Sequence, residues 1–170
     1  YGVICYSLLG ILFVLANKLT TSANAILLQF TAPIWVAIFS RWFLNENIRR
    51  SDWVAILVVL LGMVLFFIGD LEVGSMVGNF VAVISGIAMA GLAILLKLQA
   101  ENEAVEVTLL GNVLTFIICL PFLFMVVPSI TDVLLLLVLG VFQIGISYIL
   151  YSLAIPYVSS LDAVLITVLE

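Results

Sequence analysis

The residues with the clearest capacity for chemistry in this 170-residue chain are polar side chains inside long apolar runs. Glu170 ends a run that begins near Val158, so in a helix it would lie roughly 18 Å along that run at 1.5 Å per residue. This depth is near the middle of a hydrocarbon core about 30 Å thick, where a carboxylate costs on the order of 2.5 to 3.5 kcal/mol. Glu170 is therefore a candidate for solute binding or proton coupling, and the alternative is a carboxyl group that caps interrupted backbone.

A second set of polar residues follows one helical stripe. Gln143, Ser147 and Tyr151 are spaced by four, with Tyr148 on the flank, so a helix would turn them together away from lipid. They are predicted to line a solute cavity, and the alternative is hydrogen bonding between helices. Further candidates for the cavity are Tyr6, Phe13, Ser85, Met89 and Trp35, the last of which is equally well explained as a lipid-facing residue.

Several kinds of chemistry are excluded by residue type. The chain has no histidine, so it holds neither an HExxH zinc site nor a Ser-His-Asp relay, and it has no GxxxxGK[ST] loop for a nucleotide. Cys5 and Cys119 both fall inside apolar runs, where a small core residue is the simpler interpretation. We therefore predict no enzyme activity, no catalytic residue, no metal and no cofactor. The net charge of −5, with no basic patch beyond Arg49-Arg50, argues against nucleic-acid binding.

The elements that must position these residues are transmembrane helices. Hydrophobic residues make up 66% of the chain and charged residues 9%, which is too little charge for the surface of a soluble globule. Apolar runs of the length that crosses a bilayer as helix, without the alternation of barrel strands, predict an all-α integral membrane protein in a lipid bilayer. The seven predicted spans, named A to G, are 1–17, 22–44, 53–69, 75–97, 107–127, 132–154 and 159–170.

Residues 1–32 and 139–170 are copies of one segment, aligned without a gap at an offset of 138 positions with nine identities. The copies begin in spans A and F, five spans apart, so the second copy is predicted to be inverted relative to the first. Because Arg41, Arg49, Arg50 and Lys97 fall in or beside the B–C and D–E connections, the positive-inside rule predicts that loops 45–52 and 98–106 are cytoplasmic.

Motifs in residues 21–67 resemble the EamA type of the drug/metabolite transporter superfamily. They comprise the small and polar residues 21–25, Pro33 inside span B, the Leu44-Asn45-Glu46 terminus, a short basic loop and the Gly62-Met63-Val64-Leu65 segment. The second copy, from Ser159 to Glu170, resembles the same motif. The resemblance implies ten helices in two inverted five-helix repeats, with this chain a fragment covering helices three to nine. Residues 1–73 would then end the first repeat, and residues 74–170 would begin the second.

The function implied by the resemblance is secondary transport through a central cavity by alternating access. Pro33 breaks the hydrogen bond to the carbonyl of Gln29, so it is expected to act as a moving gate or as a static kink. No lysine or arginine lies near the middle of any span, which favours neutral, zwitterionic or amphipathic solutes over strongly anionic ones. We expect export of amino acids or related metabolites across the cell (inner) membrane. A channel or a non-transporting membrane scaffold remains the alternative.

Overall fold

The computed structural model describes residues 1–69, 75–99, 101–123 and 129–167, and within these ranges the chain is helical, with no strand. Its α-helices there are α1 Gly2–Leu19, α2 Ser22–Gln29, α3 Ala32–Phe39, α4 Arg50–Phe67, α5 Met76–Leu98, α6 Glu101–Leu123, α7 Ile130–Val138, α8 Ser147–Ala154 and α9 Ser160–Thr167. Two π-helical segments, Ser40–Leu44 and Leu139–Ile146, continue α3 and join α7 to α8, and a 3-10 turn at Ile155–Tyr157 follows α8.

Five helical stretches in the described ranges are long and apolar enough to cross a membrane, which confirms the predicted all-α membrane class. They are Gly2–Leu19, Ser22–Leu44, Met76–Leu98, Ala104–Phe122 and Ile130–Tyr157, and they correspond to spans A, B, D, E and F. Span C is α4, which begins three residues earlier than predicted. Span G is described as α9 as far as Thr167, so Glu170 lies outside the described residues.

Helix starts follow short side chains that accept backbone hydrogen bonds. The Thr21 hydroxyl accepts from the Asn24 N–H at 3.2 Å at the start of α2, and the Ser159 hydroxyl accepts from the Asp162 N–H at 3.0 Å at the start of α9. These two caps occupy equivalent positions in the repeated segment, and α2 and α9 also begin at equivalent residues. The repeat in sequence is therefore also a repeat in local structure.

Span B is interrupted rather than bent smoothly. α2 ends at Gln29, and α3 begins at Ala32 with Pro33 in its first turn. A proline in a first turn costs no intrahelical hydrogen bond, because the N–H it lacks would have no partner there. The structure thus has a helix break at residues 30–31, just before the proline.

The loop after span B is shorter than predicted. Asn45 has φ 53° and ψ 26°, the left-handed conformation that asparagine tolerates better than most residues, and it ends the π-helical segment Ser40–Leu44. α4 then begins at Arg50, where the Asp52 carboxylate accepts from the Arg49 N–H at 2.7 Å. The D–E connection is also shorter than predicted, since α5 ends at Leu98 and α6 begins at Glu101.

The core is built around α5, which packs against α1, α2, α3 and α9. A stripe of small residues makes this close packing possible: Ala82, Gly86, Ala90 and Ala93 are all buried. Where α5 meets α2, a Cβ atom on Gly86 would come within 2.6 Å of the Gln29 carbonyl oxygen. The backbones of α2 and α5 are therefore in direct contact at this point.

Span F differs from the other spans in both burial and helix type. Residues of α7 and of the second π-helical segment are almost all exposed, whereas Ser152 in α8 and Ile155 after it are buried. The π-helical segment holds the polar Gln143 and ends where α8 begins at Ser147. Only the C-terminal part of span F thus belongs to the packed core of the described structure.

Candidate functional site

A cavity of about 250 Å³ lies between the middle of α1, the end of α2, α5, the second π-helical segment with α8, and the end of α9. Six residues predicted from the sequence as cavity lining surround it: Phe13, Met89, Gln143, Ser147, Tyr148 and Tyr151. The structure therefore brings residues from three separate spans to one enclosed space.

The lining of this cavity in the described residues is mainly apolar, with a few uncharged polar groups. Gln29, Gln143, Ser147 and Thr167 supply amide and hydroxyl groups, and the remaining surface is largely aromatic and aliphatic. Such a mixture of a mainly apolar wall with a few placed hydrogen-bonding groups is typical of small-molecule sites. Among the described lining residues there is no fixed charge that would hold a strongly ionic solute.

The cavity lining follows the sequence repeat. Four pairs of equivalent residues, 138 positions apart, contribute to it from the two copies, and these are Leu9 with Ser147, Gly10 with Tyr148, Phe13 with Tyr151, and Gln29 with Thr167. The cavity therefore lies where the same positions of both copies come together. Phe30 and Leu92 complete its apolar wall.

Tyr6 lies beside this cavity rather than in its lining. Its ring is 7% exposed and meets the Tyr148 ring edge to face, with centroids 5.1 Å apart, and its hydroxyl donates to the Asn112 Oδ1 atom at 3.3 Å. Tyr6 and Tyr148 also border a second, more open space of about 570 Å³ between α1, α6 and the second π-helical segment. The two spaces share part of their lining, including Tyr148.

The other predicted site residues have different positions. Ser85 is fully buried in the interface of α5 with α1 and α2, where it hydrogen-bonds to Gln29 behind the cavity wall. Trp35 is half-buried, packs against Phe39 with ring centroids 6.5 Å apart, and donates through Nε1 to the Thr31 hydroxyl at 3.3 Å. Neither residue lines the 250 Å³ cavity. Pro33 is buried at the start of α3, and Glu170 lies outside the described residues.

Two polar residues of the cavity lining, Gln29 and Thr167, were not singled out from the sequence. The signal was present, because each is a polar residue within an apolar run and the two are equivalent positions of the repeat. A polar side chain at such depth requires a partner or water. What the sequence does not show is that α2 ends at Gln29, which places this side chain at the cavity.

Polar residues of span E are used for packing between helices. The Thr108 hydroxyl is 2.7 Å from the Ser152 hydroxyl, and both side chains are buried. One turn further, the Ser7 hydroxyl donates to the Gly111 carbonyl at 3.0 Å. α6 is thus bound to α8 on one side and to α1 on the other.

At one end of the helix bundle, a lysine side chain contacts two other segments of the chain. The Lys97 Nζ atom lies 2.9 Å from the Glu46 Oε1 atom and also donates to the Val158 carbonyl oxygen. Only 19% of the Lys97 side chain and 25% of the Glu46 side chain are exposed, so the ion pair is largely shielded from solvent. It connects the loop before α4, the end of α5 and the segment before α9.

Comparison with known proteins gives a family for the N-terminal part of the chain. Residues 1–68, which contain α1 to α4, match the model of the EamA-like transporter family. No curated protein and no solved structure matches the chain. The family match confirms the resemblance seen in the motifs of residues 21–67, and the chain is accordingly an all-α membrane protein whose N-terminal part, residues 1–68, is similar to the EamA-like transporter family of the drug/metabolite transporter superfamily.

Proposed function

We propose that this protein is a secondary transporter that exports small neutral, zwitterionic or amphipathic metabolites, such as amino acids or related compounds, by alternating access. The observation that carries the proposal is the cavity of about 250 Å³, which is uncharged in its described lining and includes equivalent residues of both sequence copies. In transporters built from inverted repeats, the substrate site lies at the interface of the repeats.

The chemistry of the lining supports the solute class. Gln143, Ser147 and Tyr151 offer hydrogen-bonding groups, while Phe13 and Met89 offer apolar surface. An amphipathic solute can satisfy both kinds of surface, whereas a phosphorylated solute would lose its hydration without meeting a cation in the described lining. The lining thus favours solutes that carry no net charge.

The arrangement of the chain supports alternating access. In this proposal residues 1–73 and 74–170 belong to two inverted repeats, and exchange of their conformations opens the cavity to each side in turn. The helix break before Pro33 lies next to the cavity residues Gln29 and Phe30, so a change of angle between α2 and α3 would alter the cavity directly. Pro33 is assigned to this gate.

The proposed orientation places loops 45–52 and 98–106 in the cytoplasm of the cell that holds the protein in its inner membrane. The ion pair between Lys97 and Glu46 joins the two connections that the positive-inside rule assigns to one side. The Val158 carbonyl, in the next connection of the same side, meets the same lysine. These contacts are consistent with one common side for all three connections.

The test is counterflow in vesicles that contain the full-length protein. We expect exchange of radiolabelled neutral amino acids or amphipathic amines and no exchange of a sugar phosphate. Tyr151→Ala should lower the flux about tenfold, corresponding to about 1.4 kcal/mol. The matched control is Phe80→Ala, which removes an aromatic ring from the exposed face of α5. Robust flux of the sugar phosphate alone, or single-channel conductance in a planar bilayer, would overturn the proposal.

Coupling to protons is tested separately at Glu170. If this carboxyl group carries the proton, Glu170→Gln abolishes uptake driven by a pH gradient while counterflow at equal pH continues. Unchanged gradient-driven uptake in this variant would reject Glu170 as the coupling residue.

A further inference from the structure

The side-chain amide of Gln29 is held in one orientation by a buried serine. The Gln29 Nε2 atom lies 2.9 Å from the Ser85 hydroxyl oxygen, which in turn lies 3.3 Å from the Leu9 carbonyl oxygen. Gln29 is 8% exposed and Ser85 is fully buried. These contacts run from α2 through α5 to α1 along the wall of the cavity.

The direction of the two hydrogen bonds follows from the atoms available. A carbonyl oxygen only accepts, so the single hydroxyl proton of Ser85 is directed to Leu9. Ser85 must then accept from Gln29, which requires the NH₂ group of Gln29 on that side. If the amide were flipped, one of these two buried hydrogen bonds would be lost.

The consequence is that the other end of the amide is available to the cavity. Gln29 is a lining residue, and among the described residues no hydrogen bond occupies its Oε1 atom. Its backbone is fixed as well, because the Gln29 carbonyl packs directly onto Gly86 of α5. The surrounding helices therefore set both the orientation of the Gln29 amide and the position of the Gln29 backbone beside the cavity.

We infer that Gln29 determines specificity by accepting a hydrogen bond from an N–H donor, an amide or ammonium group, of the transported solute, and that Ser85 is its positioning residue. This inference rests on the proposed function and deepens it, since it adds a required donor to the uncharged, partly apolar solute described above. The neighbouring Phe13 and Phe30 side chains would contact the apolar part of the same solute. A site that is built to pair with a polar group discriminates strongly against analogues that lack it.

The experiment compares two neutral single-ring compounds of similar size. 2-Phenylacetamide has two N–H donors, and methyl phenylacetate has none. The dissociation constant of each is measured by calorimetry with the full-length protein in nanodiscs. For one hydrogen bond, we expect the amide to bind about five-fold to ten-fold more tightly than the ester.

Two variants and a matched control test the roles of Gln29 and Ser85. Gln29→Leu should remove the preference for the amide, and Ser85→Ala should reduce it because the Gln29 amide is then free to turn. Ser7→Ala is the control, since Ser7 is also a buried serine that donates to a carbonyl between helices but does not line the cavity. It should retain the wild-type ratio of the two dissociation constants. This ratio reports on the donor preference and is insensitive to a uniform loss of affinity.

The outcomes separate this inference from the proposed function. Equal affinity of both compounds for the wild-type protein, or an unchanged ratio in Gln29→Leu, overturns the role of Gln29 and leaves the cavity as a solute site. An unchanged ratio in Ser85→Ala overturns the positioning role, and if that variant fails to fold, Gln29→Leu alone decides the specificity claim. Binding of neither compound to the wild-type protein overturns the inference, while counterflow of the amino-acid panel still decides transport.

Discussion

Replacement of Gly86 by alanine tests the contact on which the cavity wall depends. A Cβ atom at this position would lie 2.6 Å from the Gln29 carbonyl oxygen and 3.3 Å from the Gln29 carbonyl carbon. Carbon atoms in favourable contact are about 3.5 to 4.0 Å from their neighbours, so α2 and α5 would have to separate by roughly 0.9 Å or more. The obstructing atoms belong to backbone, so no rotamer change relieves the contact.

The size of the effect follows from the type of strain. Inserting a methyl group into a packed interface costs about 1 to 3 kcal/mol, and alanine in a helix regains up to about 1 kcal/mol of helix propensity. Gly62→Ala in α4 is the matched control, because a Cβ atom there meets nothing within 4 Å and the gain in propensity is the same. The difference between the two variants should therefore be about 1 to 3 kcal/mol in the free energy of unfolding.

The assay is unfolding of the full-length protein in bicelles by titration with denaturing detergent. The same separation of helices would lengthen the 2.9 Å bond between Gln29 and Ser85 beyond the range of a hydrogen bond. Gly86→Ala should consequently also lower the preference for 2-phenylacetamide. If Gly86→Ala and Gly62→Ala differ by less than about 0.5 kcal/mol, the backbone contact between α2 and α5 does not constrain the structure as described.

Three further predictions concern stability, each measured as the free energy of unfolding. Reversing the charge at Lys97 or at Glu46 alone should destabilise the protein, and reversing both should restore about 1 kcal/mol. The bond from Lys97 to the Val158 carbonyl is not recovered in the double variant. If the effects of the two single reversals simply add in the double variant, the ion pair is contradicted. Thr108→Val should cost about 1 to 3 kcal/mol because it leaves the buried Ser152 hydroxyl without the Thr108 hydroxyl as a partner. Thr108→Ser keeps a hydroxyl and should be nearly neutral. Equal effects of the two substitutions would argue against the hydrogen bond between Thr108 and Ser152. Asn45→Val should cost about 1 to 2 kcal/mol because the backbone at this position is left-handed, whereas Asn45→Gly should cost little. A valine variant as stable as the wild-type protein would refute the left-handed conformation of residue 45.

The fold class was predictable because bilayer-spanning helices depend on properties that are local in sequence. Apolar length located α1 and α5 to within two residues of their observed ends. The family resemblance followed from residues 21–67, all of which lie within the matched range 1–68. None of these features requires knowledge of which helices are neighbours.

The candidate site was only partly predictable, because its geometry depends on contacts between helices. Ser85 was expected to face the cavity, yet α2 approaches α5 so closely at Gly86 that Gln29 stands between Ser85 and the open space. Trp35 lies in α3, beyond the break that ends α2, and its indole turns to Thr31 and Phe39. The position of the break, and with it the role of Gln29, follows from packing that helical periodicity does not encode.

The second π-helical segment changes the direction of side chains in the second copy relative to their equivalents in the first copy, although the two sequences align without a gap. Residues 139–146 are π-helical, whereas most of the equivalent residues 1–8 belong to the regular helix α1. A bond from i to i+5 spans one residue more than a bond from i to i+4, so side chains before Ser147 point in directions that differ from those of their equivalents. All four equivalent pairs in the cavity lining lie after this segment, while Gln143 lies within it and its equivalent, Cys5, is absent from the lining. The two copies thus share a spatial register only from Leu9 and Ser147 onward.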